Sequence, residues 1–180
     1  MSYAYMMVGA TGSGKTYFTK QLIKGVHPGS VMVFDVNDEY RDIYPYEFNP
    51  DIDLFLQKVE SKRNAIIIIE DATSFFAVQG RNDRMINILT AKRHTHNTII
   101  MLFHSWGDVP RYLYRKFTHI VLFYTLDSER DVLKVGNEKI VEAWNEVQDA
   151  CKDHPYFKTY PPPKGVAPPS KIYNIYRDVA

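Results

Sequence analysis

A chain of 180 residues, 45% hydrophobic and 24% charged, can bury one well-formed core and is too short for two ordinary domains with a linker. A net charge of +1 argues neither for nor against a nucleic-acid partner, and a single cysteine, Cys151, excludes an intrachain disulfide and suits a reducing compartment. No stretch approaches the roughly 18 apolar residues of a membrane span, and the N-terminal residues read as a core strand rather than a leader, so a soluble, cytoplasmic protein is expected.

The first predicted element is a buried strand over Ala4 to Val8, and a helix is predicted from Tyr17 to Lys24. Between them lies Gly9-Ala10-Thr11-Gly12-Ser13-Gly14-Lys15-Thr16, a complete match to the phosphate-binding P-loop pattern in the strand-to-helix context that the pattern needs. A phosphate chain must meet several inward backbone N–H groups, so the loop has to come close and take dihedrals that glycine permits. The helix that follows presents its positive end. Lys15 is expected between the β- and γ-phosphates, and the Thr16 hydroxyl as a ligand of Mg2+. The nucleotide-contacting set is therefore Gly9, Ala10, Thr11, Gly12, Ser13, Gly14, Lys15, Thr16 and the following Tyr17.

Four further apolar runs follow: Val31 to Phe34, Ala65 to Ile69, Ile99 to Phe103 and Ile120 to Tyr124. Runs without strict alternation predict strands buried on both faces of a parallel sheet. Asn49-Pro50 offers a cap and an N1 proline for a helix carrying Ile52, Leu54, Phe55, Leu56 and Val59. A helix is predicted over Asp83 to Arg93, with Met85, Ile86, Ile88 and Leu89 inward. Helices are also predicted over Ser128 to Val135 and Asn137 to Lys152, the latter with Ile140, Val141, Trp144, Val147 and Cys151 at helical spacing. From His154 the composition changes: six of the ten prolines fall between Pro155 and Pro169. Residues 1–153 thus read as one domain. Residues 154–180 read as an extended Pro-rich tail, packed on its own domain or on a neighbour, or serving as ligand for a proline-binding module.

Four isoleucines at 66–69 deliver Glu70 and Asp71 at a strand end, where open α/β sheets bind ligands. Nucleotide hydrolysis needs one carboxylate to support Mg2+ and another to orient water, and alternating side-chain directions let the two roles separate.

With Phe34-Asp35-Val36-Asn37-Asp38-Glu39-Tyr40 and with Arg93-His94 followed by a strand and a polar residue, Tyr3 to about Thr125 resembles the FtsK/HerA superfamily of ring-forming ATPases, particularly small viral genome-packaging ATPases. The resemblance implies a three-layer α/β fold with a mostly parallel sheet of five or more strands, of the additional-strand, RecA-like class. It implies an extra strand between the P-loop strand and the acidic strand. His104 then becomes the sensor of the γ-phosphate, and Arg93 the arginine supplied to a neighbouring site, with Arg81, Arg84, Arg111 and Arg115 as rivals. The family usually ends this strand Asp-Glu; here the order is Glu70-Asp71, which leaves open which carboxylate polarises water, although by position Glu70 supports Mg2+. The partners implied are a second copy of the chain in a hexameric or pentameric ring, DNA, and a capsid or portal-vertex protein. ATP and Mg2+ are the implied substrate and cofactor, and the place is host cytoplasm or virion.

Arg81 to Lys116 carries seven Lys/Arg against two acids, which suits a subunit face or a DNA-facing pore, and Trp106 to Phe117 mixes aromatic with basic residues. The main rival reading is a small-molecule or nucleotide kinase with a lid around Arg81 to Arg84. A GTPase is disfavoured because no base-recognition Asn/Thr-Lys-x-Asp follows the later strands. A scaffold that binds nucleotide without hydrolysing it is a third reading.

Overall fold

The computed structural model describes residues 2–42, 51–79, 82–134, 138–158 and 163–174. Its six strands are β1 (Ala4–Val8), β2 (Val31–Phe34), β3 (Ile66–Ile69), β4 (Thr98–Phe103), β5 (His119–Leu122) and β6 (Lys171–Asn174). They form one sheet in the order β2-β3-β4-β1-β5-β6, parallel except for the antiparallel β5–β6 pair. The strand predicted to intervene between the P-loop strand and the acidic strand is β4, which pairs Ile99 to Phe103 with Ala4 to Val8 and Thr98 to Met101 with Ile66 to Ile69.

The helices are α1 (Lys15–Ile23), α2 (Ile52–Ser61), α3 (Ala72–Gln79), α4 (Asp83–Thr95), α5 (Glu129–Leu133), α6 (Glu138–Cys151) and α7 (Pro155–Lys158). Strand side chains alternate, so two cores form. Met6, Val8, Ile67, Ile69, Met101, Phe103, Ile120 and Leu122 face α2, α3, α4 and α6, while Met7, Ile68, Ile100, Leu102 and Val121 face α1. This is the three-layer arrangement expected of the sequence. It explains why β1 to β5 lie in apolar runs, since both faces are covered by helices.

Several local expectations change. Asn49-Pro50 lies outside the described residues; α2 is capped by Asp51, whose side chain accepts from the backbone N–H of Asp53 and Leu54. Leu54, one of the apolar residues of this helix, is 42% exposed, because the buried stripe is narrower, formed by Phe55, Leu56 and Val59. Helix α4 runs two residues beyond Arg93 and stops at His96, whose φ of 56° breaks the helical path. Helix α3 is additional to the predicted elements. It is apolar nearly all round, so it lacks the amphipathic period that marks a surface helix. All five α6 residues read as inward are buried, and burial raises the Cys151 thiol to about 11.

The C-terminal segment contributes to the sheet. β6 pairs Lys171 to Tyr173 with Ile120 to Leu122, and the Lys171 ammonium meets the Glu146 carboxylate on α6.

Candidate nucleotide-binding site

The P-loop leaves the sheet at its centre, where β1 is flanked by β4 on one side and β5 on the other. Backbone bonds continue the strands into the loop. Gly9 N–H donates to the Phe103 carbonyl (3.1 Å) and Ala10 N–H to the Tyr124 carbonyl (2.7 Å). Gly9 is required by close approach, since a β-carbon there would stand 2.5 Å from Ser13 Oγ and 2.6 Å from Phe123 Cβ. Gly14 has φ +95°, a left-handed conformation, and a β-carbon there would lie 2.3 Å from Pro168 Cγ. The loop glycine thus serves a second purpose: it seats a buried proline from the C-terminal segment.

Lys15 opens α1 and is buried, with its ammonium donating to the carbonyls of Gly9 (2.5 Å) and Ala10 (3.1 Å). Burial lowers its pKa to about 8, and the negative charges of Glu70, Glu39 and Asp71 oppose that shift. The Thr16 hydroxyl donates to Glu70 Oε1 at 2.5 Å. The other carboxylate oxygen, Oε2, accepts from the Tyr40 hydroxyl at 2.6 Å. Burial dominates the Glu70 pKa and lifts it to about 7, against the hydrogen bonds from Thr16 and Tyr40, which favour the charged form.

Tyr40 reaches Glu70 because Asp35 folds the segment after β2. One Asp35 oxygen accepts from Asn37 N–H (3.0 Å) and the other from Tyr40 N–H (3.0 Å), both over this short turn. In sequence, Asp35 to Tyr40 carries the family resemblance and nothing assigns Tyr40 to the site. The missed signal was a tyrosine among acids directly after a strand, with no local clue to which carboxylate it met. Asn37 and Glu39 also line the cleft.

Asp71 starts α3. Its Oδ1 accepts from Ser74 N–H at 2.9 Å, a capping bond, and its side chain stays 15% exposed beside His104, whose Nε2 is 3.6 Å away. His104 follows β4 and its backbone N–H donates to Thr73 Oγ1 (2.9 Å); its Nδ1 lies 3.5 Å from Thr11 Oγ1 on the P-loop. Glu70, Asp71, His104, Lys15 and Thr16 therefore line one cleft of about 270 Å³, which Tyr17, Glu39 and Tyr156 complete.

Arg93 stands elsewhere. It is exposed on the last turn of α4, at the sheet edge where Thr95 accepts from Asn64 N–H just before β3, opposite the P-loop edge. It contributes nothing to the cleft of its own chain.

Of its rivals, Arg84 pairs with Glu60 (3.0 Å) and with Asp53 (4.0 Å) on α2. Arg111 and Arg115 are exposed on the 3₁₀ turn Arg111–Lys116. Arg81 lies outside the described residues.

The basic third of the chain is less uniform than its composition. Lys92 is buried and donates to the carbonyls of Leu89 and Lys116, while Lys116 donates to Thr90 Oγ1, so both fasten α4 to the 3₁₀ turn. Trp106, Leu113 and Phe117 are core residues and unavailable to grip a phosphate backbone.

An open parallel sheet with a P-loop at its centre, an intervening strand between the P-loop strand and the acidic strand, and a Thr–carboxylate pair at the loop defines an additional-strand P-loop NTPase domain. A family model described as "Helicase HerA, central domain" matches residues 6–102, more than half of the chain, and the chain belongs to that family. No curated protein matches.

Among solved structures, the chain resembles the genome packaging NTPase B204 from Sulfolobus turreted icosahedral virus 2 in complex with AMPPCP. That match has a TM-score of 0.70 and 19% identity over 98% of this chain and 94% of that one. A structure of B204 described as the DNA-packaging ATPase from Sulfolobus turreted icosahedral virus gives a TM-score of 0.71 and 18% identity over 98% and 94%. At these identities the likeness establishes the fold.

Proposed function

We propose that this chain is an ATP-hydrolysing motor that works as a ring, a hexamer or pentamer, and moves DNA into a viral capsid. The observation that carries hydrolysis is the meeting of Lys15, Thr16, Glu70, Asp71 and His104 in one cleft at the P-loop. DNA movement rests on family membership together with the likeness to virus proteins described as a genome-packaging NTPase and a DNA-packaging ATPase. A capsid or portal-vertex partner, and a place in host cytoplasm or virion, follow from the same reading. No described helix is long and apolar enough to cross a membrane.

The donors suit Mg2+. A hydroxyl and a carboxylate oxygen 2.5 Å apart are hard ligands from two different elements, and Mg2+ takes few protein ligands because it keeps water and phosphate oxygens. Thr16 and Glu70 would hold it, and when bound it neutralises charge on the phosphates and orients them.

The remaining steps belong to the chain. The P-loop N–H groups and the start of α1 bind the phosphates, and the Lys15 ammonium neutralises the charge that grows on the leaving group. Glu70 is held on both oxygens by Thr16 and Tyr40, so the more exposed Asp71 is the carboxylate left to orient water. His104, between Thr11 and Asp71, touches both the phosphate loop and that carboxylate, the position from which a γ-phosphate is sensed. Arg93 of a neighbouring copy completes the site by stabilising transition-state charge, worth roughly 10³ to 10⁵ in rate.

The kinase reading is disfavoured by membership of the HerA family and by the likeness to virus packaging NTPases. The test is phosphate release from Mg-ATP without an acceptor, abolished by Lys15→Ala, and its stimulation by DNA. Turnover that is indifferent to DNA and to protein concentration would overturn the motor reading while leaving hydrolysis intact.

A further inference from the structure

The cleft has two unlike flanks. Glu70 ends β3 and His104 follows β4, both on one side of β1, and Glu39 and Asp71 keep them company. On the other side of β1 lie β5, β6 and the C-terminal segment. There the cleft is lined by Tyr17 and Tyr156, and by no charged side chain among the described residues.

Tyr156 is fixed in this place. A β-carbon on Gly14 would be 3.1 Å from the Tyr156 hydroxyl, so the phenol stands directly over the start of α1. Its ring packs on Phe157 (centroids 5.1 Å apart, 74°), and Phe157 packs on Tyr124 (5.8 Å), whose carbonyl accepts from the P-loop residue Ala10. Pro168, buried against Gly14, holds the segment from its far end, and β6 joins it to the sheet. The fold thus puts an aromatic side chain beside the phosphate loop, at the end of the cleft away from the metal-binding carboxylate.

We propose that Tyr156, with Tyr17, forms the nucleoside subsite, holding a purine base by its face without reading its edge. The inference rests on the nucleotide site proposed above and adds its specificity. Every base has a π-face, and stacking on an aromatic side chain is worth about 1–3 kcal/mol whatever groups the base edge carries. Telling adenine from guanine would need donors and acceptors placed at that edge. Among the described residues this flank offers two phenols and no charged side chain, so adenine and guanine nucleotides are held alike and the smaller pyrimidines less well.

The test is calorimetric binding to the full chain with Mg2+, using ATP, GTP, CTP, UTP and inorganic tripolyphosphate, for wild type, Tyr156→Ala and Tyr156→Phe. Wild type should bind ATP and GTP within about threefold of each other, and Tyr156→Ala should weaken both about tenfold. Tyr156→Phe, which keeps the ring, should bind as wild type does. Tripolyphosphate, which has phosphates and no base, should change less than about twofold in either variant. Equal loss of ATP and tripolyphosphate would make Tyr156 a support of the loop and overturn the proposal, as would unchanged ATP binding in Tyr156→Ala. A wild-type preference for ATP over GTP beyond about tenfold would overturn it by revealing edge recognition. Binding of none of these ligands by wild type would remove the nucleotide site itself.

Discussion

The Tyr40 hydroxyl donates a 2.6 Å hydrogen bond to Oε2 of Glu70, across thirty residues of chain, while Thr16 donates to Oε1 of the same carboxylate. A buried carboxylate is therefore oriented by one residue from the P-loop and one from the turn that Asp35 organises. Tyr40→Phe keeps the ring in the core and removes the bond. It leaves a buried acceptor short of a partner, which should cost about 1–3 kcal/mol in urea unfolding. The lost bond favoured the charged form, so the Glu70 pKa should rise and the acid limb of the kcat/KM profile should shift to higher pH. An unmoved limb would show that the tyrosine serves packing alone.

Glu70→Gln separates stability from chemistry. In chelator, the folded carboxyl titrates at about 7 against an ordinary 4.5. Below pH 4.5 both states hold the proton; as pH rises from there to 7 the unfolded chain ionises first and the native state loses relative stability. That deficit amounts to at most about 3 kcal/mol. The glutamine variant lacks it, so it should equal wild type near pH 4 and exceed it at pH 8 in urea midpoint, while losing Mg2+-dependent hydrolysis. A variant less stable than wild type at pH 8 would contradict this sign.

Gly14→Ala tests how the C-terminal segment sits on the loop. The positive φ costs about 1–2 kcal/mol for a residue with a β-carbon, and the new carbon would meet Pro168. Limited proteolysis should cut the C-terminal segment faster in the variant. Pro168→Gly, which leaves the loop glycine alone, should reproduce the faster cutting without the loss from strain.

Arg93 is exposed and away from the cleft of its own chain, and mixing subunits checks the proposed action on a neighbour. Arg93→Ala and Lys15→Ala should each be inactive alone, with Arg93→Ala unchanged in monomer stability because the side chain is exposed. Mixed before assembly, they should recover part of the turnover at interfaces that pair an intact P-loop with an intact arginine. No recovery on mixing would send the search to Arg111 and Arg115.

Lys92→Met should weaken the join between α4 and the Arg111–Lys116 turn. The buried ammonium donates to two carbonyls there, and leaving them unpaired should cost about 1–3 kcal/mol. Thermal unfolding measures it, and a neutral result would mean water replaces the ammonium.

Much of this protein could be read without coordinates because its information is local. The P-loop is contiguous, and β1 to β4 lie within or at the ends of apolar runs, since a parallel strand covered on both faces must be apolar throughout. The strand end at Glu70-Asp71 follows from Ile66 to Ile69 for the same reason.

Other features became visible only in three dimensions, because they depend on residues far apart in sequence. Helix α3 carries no amphipathic period, and its cap is the very Asp71 that the sequence marks for chemistry. β6 carries Ile172 and Tyr173, which favour a strand, but its place at the sheet edge beside β5 is set by the antiparallel pairing. Tyr112 and Phe117, ambiguous between core and surface in sequence, are respectively partly and fully buried by the fold. By itself the sequence determined that a phosphate-binding loop and an acidic strand end share one chain. The tertiary structure decided that Tyr40 would orient Glu70 and that Pro168 and Tyr156 would cover Gly14, because only chain folding brings groups 30 to 154 positions apart within contact.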